Sequence, residues 1–259
     1  MPAPQNTFKA ALKRGEAQMG CWMGLADAYV AEITATAGFD WVLIDGEHAP
    51  NDLRSILSQL KTVQASASHP VVRLPVGETW MIKQALDIGA QSLLIPMVES
   101  LAQAEALVAA VHYPPKGTRG VGAALGRASR FGAIEDYATT ADAQVCLLLQ
   151  VENLAGLAEL DDILKLDGVD GVFIGPADLS ADMGFLGNAM HPKVVETIND
   201  AITRIKSAGK APGILTTDSA FQKSCLDLGA SFVATDVDVF RFANAIRQAA
   251  SDAKALRDG

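Results

Sequence analysis

The chain has 259 residues, 49% of them hydrophobic and 20% charged, with a formal net charge of −9. That balance provides a sizeable core and excludes an extended disordered chain. The acidic surplus argues against nucleic-acid binding, which needs a basic face, and no apolar run reaches the roughly 18 residues of a membrane span. Cys21, Cys146 and Cys225 have no metal-type spacing, and an odd, sparse count fits buried thiols in a reducing cytoplasm. The opening MPAPQNTFKAALKRG contains no apolar leader core, which also points to the cytoplasm.

In chain order, residues 7–14 read as a short helix that Gly15 stops, and Met19–Leu25 as a first strand. A helix over Tyr29–Ala37 ends at Gly38. Trp41–Ile44 (WVLI) follows, a continuous apolar run of the kind buried on both faces in a parallel sheet. The cycle then repeats: helix Asp52–Gln64, strand Pro70–Leu74, helix Trp80–Ile88, strand Ser92–Ile95, helix Leu101–Val111. A long Gly-rich segment, Tyr113–Asp142, interrupts it, with a short helix expected over Ile134–Ala141. The rhythm resumes with strand Val145–Val151, helix Leu157–Lys165, strand Gly171–Ile174 and the amphipathic helix Pro192–Ala208. Strand Pro212–Leu215, helix Ala220–Leu228, strand Phe232–Ala234 and helix Phe240–Leu256 complete the chain.

Strict strand–helix alternation implies a parallel sheet with right-handed crossovers. Eight units in this length predict an α/β fold, a (β/α)8 TIM barrel forming one domain over residues 1–259. A doubly wound open sheet is the alternative, but no GxGxxG opens the first unit.

In such a barrel the chemistry sits at the C-terminal ends of the strands. The second strand delivers Asp45, Glu47 and His48 there, the third Arg73, the fifth Gln150 and Glu152, the sixth Asp178. Glu152 and Asp178 would repel unless a cation lay between them, and all-oxygen ligation suits Mg²⁺ or Mn²⁺. The alternative is that each caps a helix or pairs with an arginine. His48 reads as a general base or as an idle loop residue. Arg73 needs an anion, either a substrate oxygen or Asp45 or Glu152. Gly175-Pro176-Ala177 breaks the sixth strand, and the N–H groups of Gly175 and Ala177 could cradle a carboxylate, or the segment could be a plain tight turn. His69, His112 and His191 read as structural or solvated. Lys116, Arg119, Arg127 and Arg130 reverse the local charge in the long loop, either drawing an anionic substrate to the mouth or pairing with acids of a neighbouring subunit.

The stretches FDWVLIDGEHAPND, PVVRL, IKQALDIGAQSLLIPMV, YPPKGTRGVG, RASRFG, QVEN and GVFIGPADLSADMG occur in this order. Together they resemble the metal-dependent (class II) 2-oxo-acid aldolases of the 4-hydroxy-2-oxoheptanedioate aldolase family, relatives of 2-dehydro-3-deoxyglucarate aldolase. The resemblance runs from about Phe8 to the last helix. It implies reversible aldol cleavage of a 4-hydroxy-2-oxo acid to pyruvate, or a related 2-oxo acid such as hydroxypyruvate, and an aldehyde, through a metal-stabilised enolate. It implies Glu152 and Asp178 as ligands of a divalent cation (Mg²⁺, Mn²⁺ or Co²⁺) and no organic cofactor. His48 would be the base, working through a water on the metal, and Asp45 its supporting acid. Asp87 would be a second acid reaching that histidine, across a subunit boundary. Arg73 would hold the 2-oxo group. Gln150, Gly175, Pro176 and Ala177 would contact the substrate, and Trp22 and Leu215 would wall its pocket. It further implies a hexamer, a dimer of trimers, with the C-terminal helical region exchanged between subunits. After Arg73 the chain reads LPVGETW, where relatives carry other polar sequences. Two other readings compete: an acyl-CoA lyase of the citryl or malyl type, and a non-catalytic barrel that binds small carboxylates.

Overall fold

Apolar runs without alternation need cover on both faces, and the chain provides it by closing its strands on themselves. The structure, a computed structural model describing residues 1–258, is a closed barrel of eight parallel strands in sequential order, β1 pairing with β8. The strands are β1 (Gln18–Met23), β2 (Trp41–Asp45), β3 (His69–Arg73), β4 (Ser92–Ile95), β5 (Cys146–Val151), β6 (Gly171–Ile174), β7 (Ala211–Leu215) and β8 (Phe232–Val237). The open-sheet alternative is thereby excluded. The connecting helices are α2 (Ala28–Ala35), α3 (Leu53–Val63), α4 (Thr79–Asp87), α5 (Leu101–Val111), α7 (Leu154–Ile163), α9 (Pro192–Ser207) and α10 (Ser219–Leu228). Helix α1 (Thr7–Lys13) precedes the barrel and α11 (Asp238–Asp258) follows it.

Two elements differ in kind from the sequence expectation. The long segment between α5 and β5 holds two short 3₁₀ turns (Ala123–Leu125, Arg127–Ser129), a four-residue helix α6 (Tyr137–Thr140) and a third turn (Asp142–Gln144). The expected helix over Ile134–Ala141 is shorter: Ile134 N–H bonds to Ser129 C=O ahead of it, and its side chain joins Ala3, Tyr113, Ala123 and Tyr137 in a small apolar cluster. The Gly175 break is also more than a turn, since Pro176 opens α8 (Pro176–Asp182) from its first position. There the missing N–H costs nothing and the fixed φ already suits a helix.

Successive strand residues point to opposite faces. Val42, Ile44, Val72, Leu93, Leu147, Leu149, Val172 and Ile174 face outward and meet the helices in the main core. Trp41, Leu43, Val71, Leu94, Cys146, Leu148, Phe173 and Phe232 face inward and fill the barrel. Phe8 of α1 plugs the floor, its ring 5.7 Å from Trp41, 5.5 Å from His69 and 6.1 Å from Phe232. Phe173 continues the column, 5.9 Å from Phe232 and 5.6 Å from Trp22. Gly213 makes room for it, because a Cβ there would lie 2.2 Å from the Phe232 ring. The interior is therefore packed solid up to the layer of Trp22, and chemistry is confined to the C-terminal rim.

Helix α11 is the exception to this packing. Phe240, Phe242 and Ile246 remain exposed on it, and so do Tyr29 and Ile33 on α2. Its root is firm: Asp238 accepts the N–H groups of Gly24 (2.8 Å) and Leu25 (3.2 Å), pinning the loop after β1.

Candidate active site at the barrel mouth

The inward parity that fills the barrel also selects what reaches its rim. Counting by twos from inward residues gives Trp22 on β1, Asp45 on β2, Arg73 on β3, Gln150 and Glu152 on and after β5, Gly175 after β6 and Leu215 on β7. The parallel register does the rest, since Asp45 and Arg73 are direct partners across β2 and β3.

Arg73 is buried and held on three sides. Its Nε and Nη2 donate to the two Asp45 oxygens at 2.9 and 2.6 Å, and its Nη1 lies 2.7 Å from Glu47 Oε2. The guanidinium stacks on Trp22, 4.7 Å from the ring centroid, and Trp22 Nε1 donates to Asp45 Oδ2 at 3.0 Å. Burial pushes the Asp45 carboxyl up, but the bonds and charge of Arg73, with Trp22 and the Glu47 N–H, outweigh it and leave it below the usual carboxylate range. Glu47 goes the other way: burial and the nearby Asp45 and Asp178 charges raise it against the opposing pull of Arg73 and His48. These contacts differ from the expectation in two respects. Asp45 reaches His48 only through the backbone N–H (3.4 Å), being committed to Arg73. Trp22 is covered by that guanidinium, so it supports the arginine from below rather than forming an open wall.

The His48 ring stands free at the rim, its side chain 69% exposed and Nε2 4.0 Å from Glu47 Oε1. Glu47 belongs to the site on this geometry. It was visible at the strand end, but nothing in the sequence showed that it shares Arg73 with Asp45.

Glu152 is 2% exposed. Met97 N–H donates to its Oε1 at 2.9 Å, and Gln150 Nε2 donates to Oε2. Burial raises its carboxyl above the ordinary range, the two donors oppose that, and the charges of Asp178 and Glu47 add to it. Among the described residues no cationic side chain pairs with Glu152. The Gly175 N–H, expected to face a ligand, is bonded to Val151 C=O at 3.3 Å. What Gly175 contributes is a missing side chain, because a Cβ would lie 2.3 Å from Glu152 Oε2. Ala177 and Asp178 follow in the first turn of α8, where N–H groups lack helical acceptors. Gln150 Oε1 is buried without a hydrogen-bond partner, and Leu215 packs half-buried against the inner cluster.

These residues fit a divalent cation. Four carboxylates gather at the rim against one guanidinium, Asp45 and Glu47 are matched to Arg73, and Glu152 is left without a counter-charge beside Asp178. Among the described residues no third acid, histidine or cysteine completes a cage with them. Mg²⁺-like ions are commonly held by one or two carboxylates, with water and substrate in the remaining positions.

Other expected residues lie elsewhere. Asp87 ends α4, and helices that return to the start of the next strand end at the opposite face of the barrel. It pairs there with the fully buried Arg119 at 3.2 Å. It borders an outer groove of about 900 Å³ lined also by Leu53, Leu57, Lys83, Leu125 and Phe131. The basic loop is on that side too, because it joins α5 to the start of β5. Arg127 donates to Ile88 C=O (3.0 Å) and to Gln64. The reversed charge therefore does not line this chain's own mouth. The remaining histidines make local contacts: His69 with Ser92 Oγ (2.9 Å), His112 with Val108 C=O (2.7 Å), and His191 stacked on Phe185 at 3.7 Å.

Residues 18–245 match the model of the HpcH/HpaI aldolase/citrate lyase family. A hydroxypyruvate/pyruvate aldolase of Roseobacter denitrificans is 60% identical over 244 residues, covering 94% of this chain and 95% of that one. A 4-hydroxy-2-oxo-heptane-1,7-dioate aldolase of Salmonella dublin is 55% identical over 234 residues, 90% and 89% of the two chains. Among solved structures, an HpcH/HpaI aldolase/citrate lyase family protein from Burkholderia cenocepacia superposes with a TM-score of 0.92 at 39% identity, covering 96% of this chain and 100% of that one.

Proposed function

The chain belongs to the HpcH/HpaI aldolase/citrate lyase family, and from that premise we propose how its rim residues cleave an aldol. The enzyme is a carbon–carbon lyase that releases pyruvate from a 4-hydroxy-2-oxo acid. Relatives at 55–60% identity are named aldolases, so the acyl-CoA lyase reading is not favoured, nor is a barrel that only binds carboxylates. Hydroxypyruvate as a second donor is a reading supported by the name of the Roseobacter relative.

Glu152 and Asp178 hold a divalent cation, Mg²⁺, Mn²⁺ or Co²⁺. When bound, such an ion supplies Lewis-acid polarisation of the 2-oxo group. The observation that carries this reading is Glu152, buried without a cationic partner against a glycine that alone leaves it room.

The chain's own groups do the rest. Arg73, fixed by Asp45, Glu47 and Trp22, keeps two N–H groups for the 2-oxo oxygen as negative charge builds there. Pre-oriented donors of this kind are typically worth about 2.7–4 kcal/mol in the transition state. His48, free at the rim, takes the C4 hydroxyl proton as the C3–C4 bond breaks and the bonding pair passes to C3 and the 2-oxo oxygen as an enolate. A proton delivered to C3 then gives pyruvate, and condensation runs the same transfers in reverse. General-base catalysis of this kind typically contributes about 10²–10⁴-fold. The first-turn N–H groups of α8 at Ala177 and Asp178 receive the C1 carboxylate beside Pro176. Gln150 holds Glu152, and its buried oxygen, without a partner in this structure, is left to accept from the substrate. Leu215 borders the aldehyde.

Assembly completes the picture. The exposed stripe of α11 (Phe240, Phe242, Ile246) and the exposed pair Tyr29 and Ile33 on α2 need cover. Exchange of α11 between subunits of a hexamer, a dimer of trimers, supplies it. Such an assembly also offers Asp87 and the basic loop a neighbouring mouth. A donor and acceptor screen tests the reading, with pyruvate or hydroxypyruvate and simple aldehydes, before and after chelation and with Mg²⁺, Mn²⁺ or Co²⁺ restored. Aldol product that forms equally well in chelated protein would refute the cation.

A further inference from the structure

Met97 is a non-glycine residue at φ +53°, in the left-handed region that a Cβ disfavours. Such a conformation persists only where its surroundings dictate it. Two bonds do so here. On one side, Met97 N–H donates to Glu152 Oε1 at 2.9 Å. On the other, Met97 C=O accepts from Gln103 Nε2 at 3.1 Å. The same amide of Gln103 accepts the Glu99 N–H at 2.9 Å through its oxygen, so one side chain on α5 clasps both flanks of Val98. Val98 N–H is bonded in turn to Gln150 C=O at 3.0 Å, and Gln103 is seated by its own N–H on Ser100 Oγ, the α5 cap, at 3.3 Å.

We propose that Gln103 is a positioning residue for Glu152: it locks Met97 in the left-handed conformation that aims the Met97 N–H at Oε1, and so fixes the carboxylate before any ligand arrives. Gln103 touches no reacting atom and acts through the backbone of one residue, whose C=O it holds and whose N–H reaches Glu152. The strain at Met97 is thereby assigned a purpose, because relaxing it would turn the N–H away from Glu152 and leave a buried oxygen without its donor. Groups that orient a ligating side chain from outside the coordination sphere commonly set metal affinity by about 10–100-fold.

This inference rests on the reading of Glu152 as a cation ligand, and the test separates the two. Mn²⁺ binding to the full chain is titrated calorimetrically without substrate, for wild type, Glu152→Gln, Gln103→Ala, Met97→Gly and the Gln103→Ala/Met97→Gly pair. Glu152→Gln should abolish binding; unchanged binding there would overturn the cation reading and this proposal with it. Gln103→Ala should weaken Mn²⁺ binding about tenfold while the metal-free protein unfolds at a similar temperature. Met97→Gly keeps the N–H and adopts positive φ freely, so in the double variant most of the lost affinity should return. Simple loss of packing at Gln103 would not be rescued this way. The proposal fails if Gln103→Ala binds Mn²⁺ within about twofold of wild type, or if Met97→Gly recovers nothing. Should the alanine variant fold poorly, Gln103→Glu keeps the acceptor for Glu99 N–H, loses the donor to Met97, and is read the same way.

Discussion

Gly175 and Glu152 are in such close approach that a Cβ on the glycine would lie 2.3 Å from Oε2 and 2.9 Å from the glutamate Cβ. The sixth strand yields its side chain so that the fifth can place a carboxylate. Gly175→Ala should therefore push Glu152 aside while the barrel, whose contacts lie below, persists. We expect Mn²⁺ affinity to fall by about 10–100-fold, measured by calorimetry, with little change in far-ultraviolet circular dichroism. Retained affinity would show that Glu152 tolerates displacement.

Arg73 is clamped by two acids and stacked on an indole, so its geometry matters as much as its charge. Lysine keeps the charge and loses the planar fork. Arg73→Lys should lower kcat by about 10²–10³-fold with a smaller change in KM, the expected loss for an oriented transition-state donor. Steady-state pyruvate release measures it. Arg73→Ala is a poorer probe, because stranding Asp45 unpaired in the interior typically costs about 3–5 kcal/mol of stability.

His69 contributes a pH dependence to stability. Its ring stacks on Phe8, and burial pushes its pKa down from 6.5 to about 4. The folded protein keeps the ring neutral down to about pH 4, whereas the unfolded chain protonates it near 6.5. This contribution to stability is present in full above about 6.5 and declines as pH falls to about 4, by about 3 kcal/mol in all. Urea unfolding at pH 7, 5.5 and 4.5 should show wild type losing more stability than His69→Gln over that span. Parallel losses in the two proteins would place the acid sensitivity elsewhere.

The exposed stripe of α11 makes assembly sensitive to charge. Phe242→Glu with Ile246→Glu puts two carboxylates where the side chains are 58% and 54% exposed in one chain. Within a single chain such changes at exposed positions are nearly neutral. If the stripe is buried between subunits, sedimentation velocity should show a smaller particle than wild type. An unchanged particle would mean that α11 faces solvent.

The barrel was legible because its strands announce themselves. WVLI, SLLI and GVFI carry no alternation, and each is followed within four residues by a glycine, proline or charge. The rim residues followed from the same reading, since Asp45, Arg73 and Glu152 stand directly at or after strand ends. Their pairing was not legible. Asp45 and Arg73 are 28 residues apart, and only the β2–β3 register makes them neighbours. Gly175 looked like a source of N–H groups because the space a side chain would fill belongs to another strand. The basic loop does not reach this chain's own mouth, for a topological reason. Its charge was plain, but a segment leading from a helix into a strand lies at the far end of the barrel from one leading out of it, and Asp87 follows the same rule.

The plug at the barrel floor ties the first helix to the strand that closes the barrel. Phe8 precedes β1 in the chain, yet its ring rests on Trp41, His69 and Phe232. The last of these lies on the strand that closes the barrel against β1. The full set of ring contacts to Phe8 therefore exists only once β8 is in place. Contacts so distant in sequence are slow to form. Substitutions of Phe8 would register in how fast the barrel closes, at the face opposite the catalytic rim.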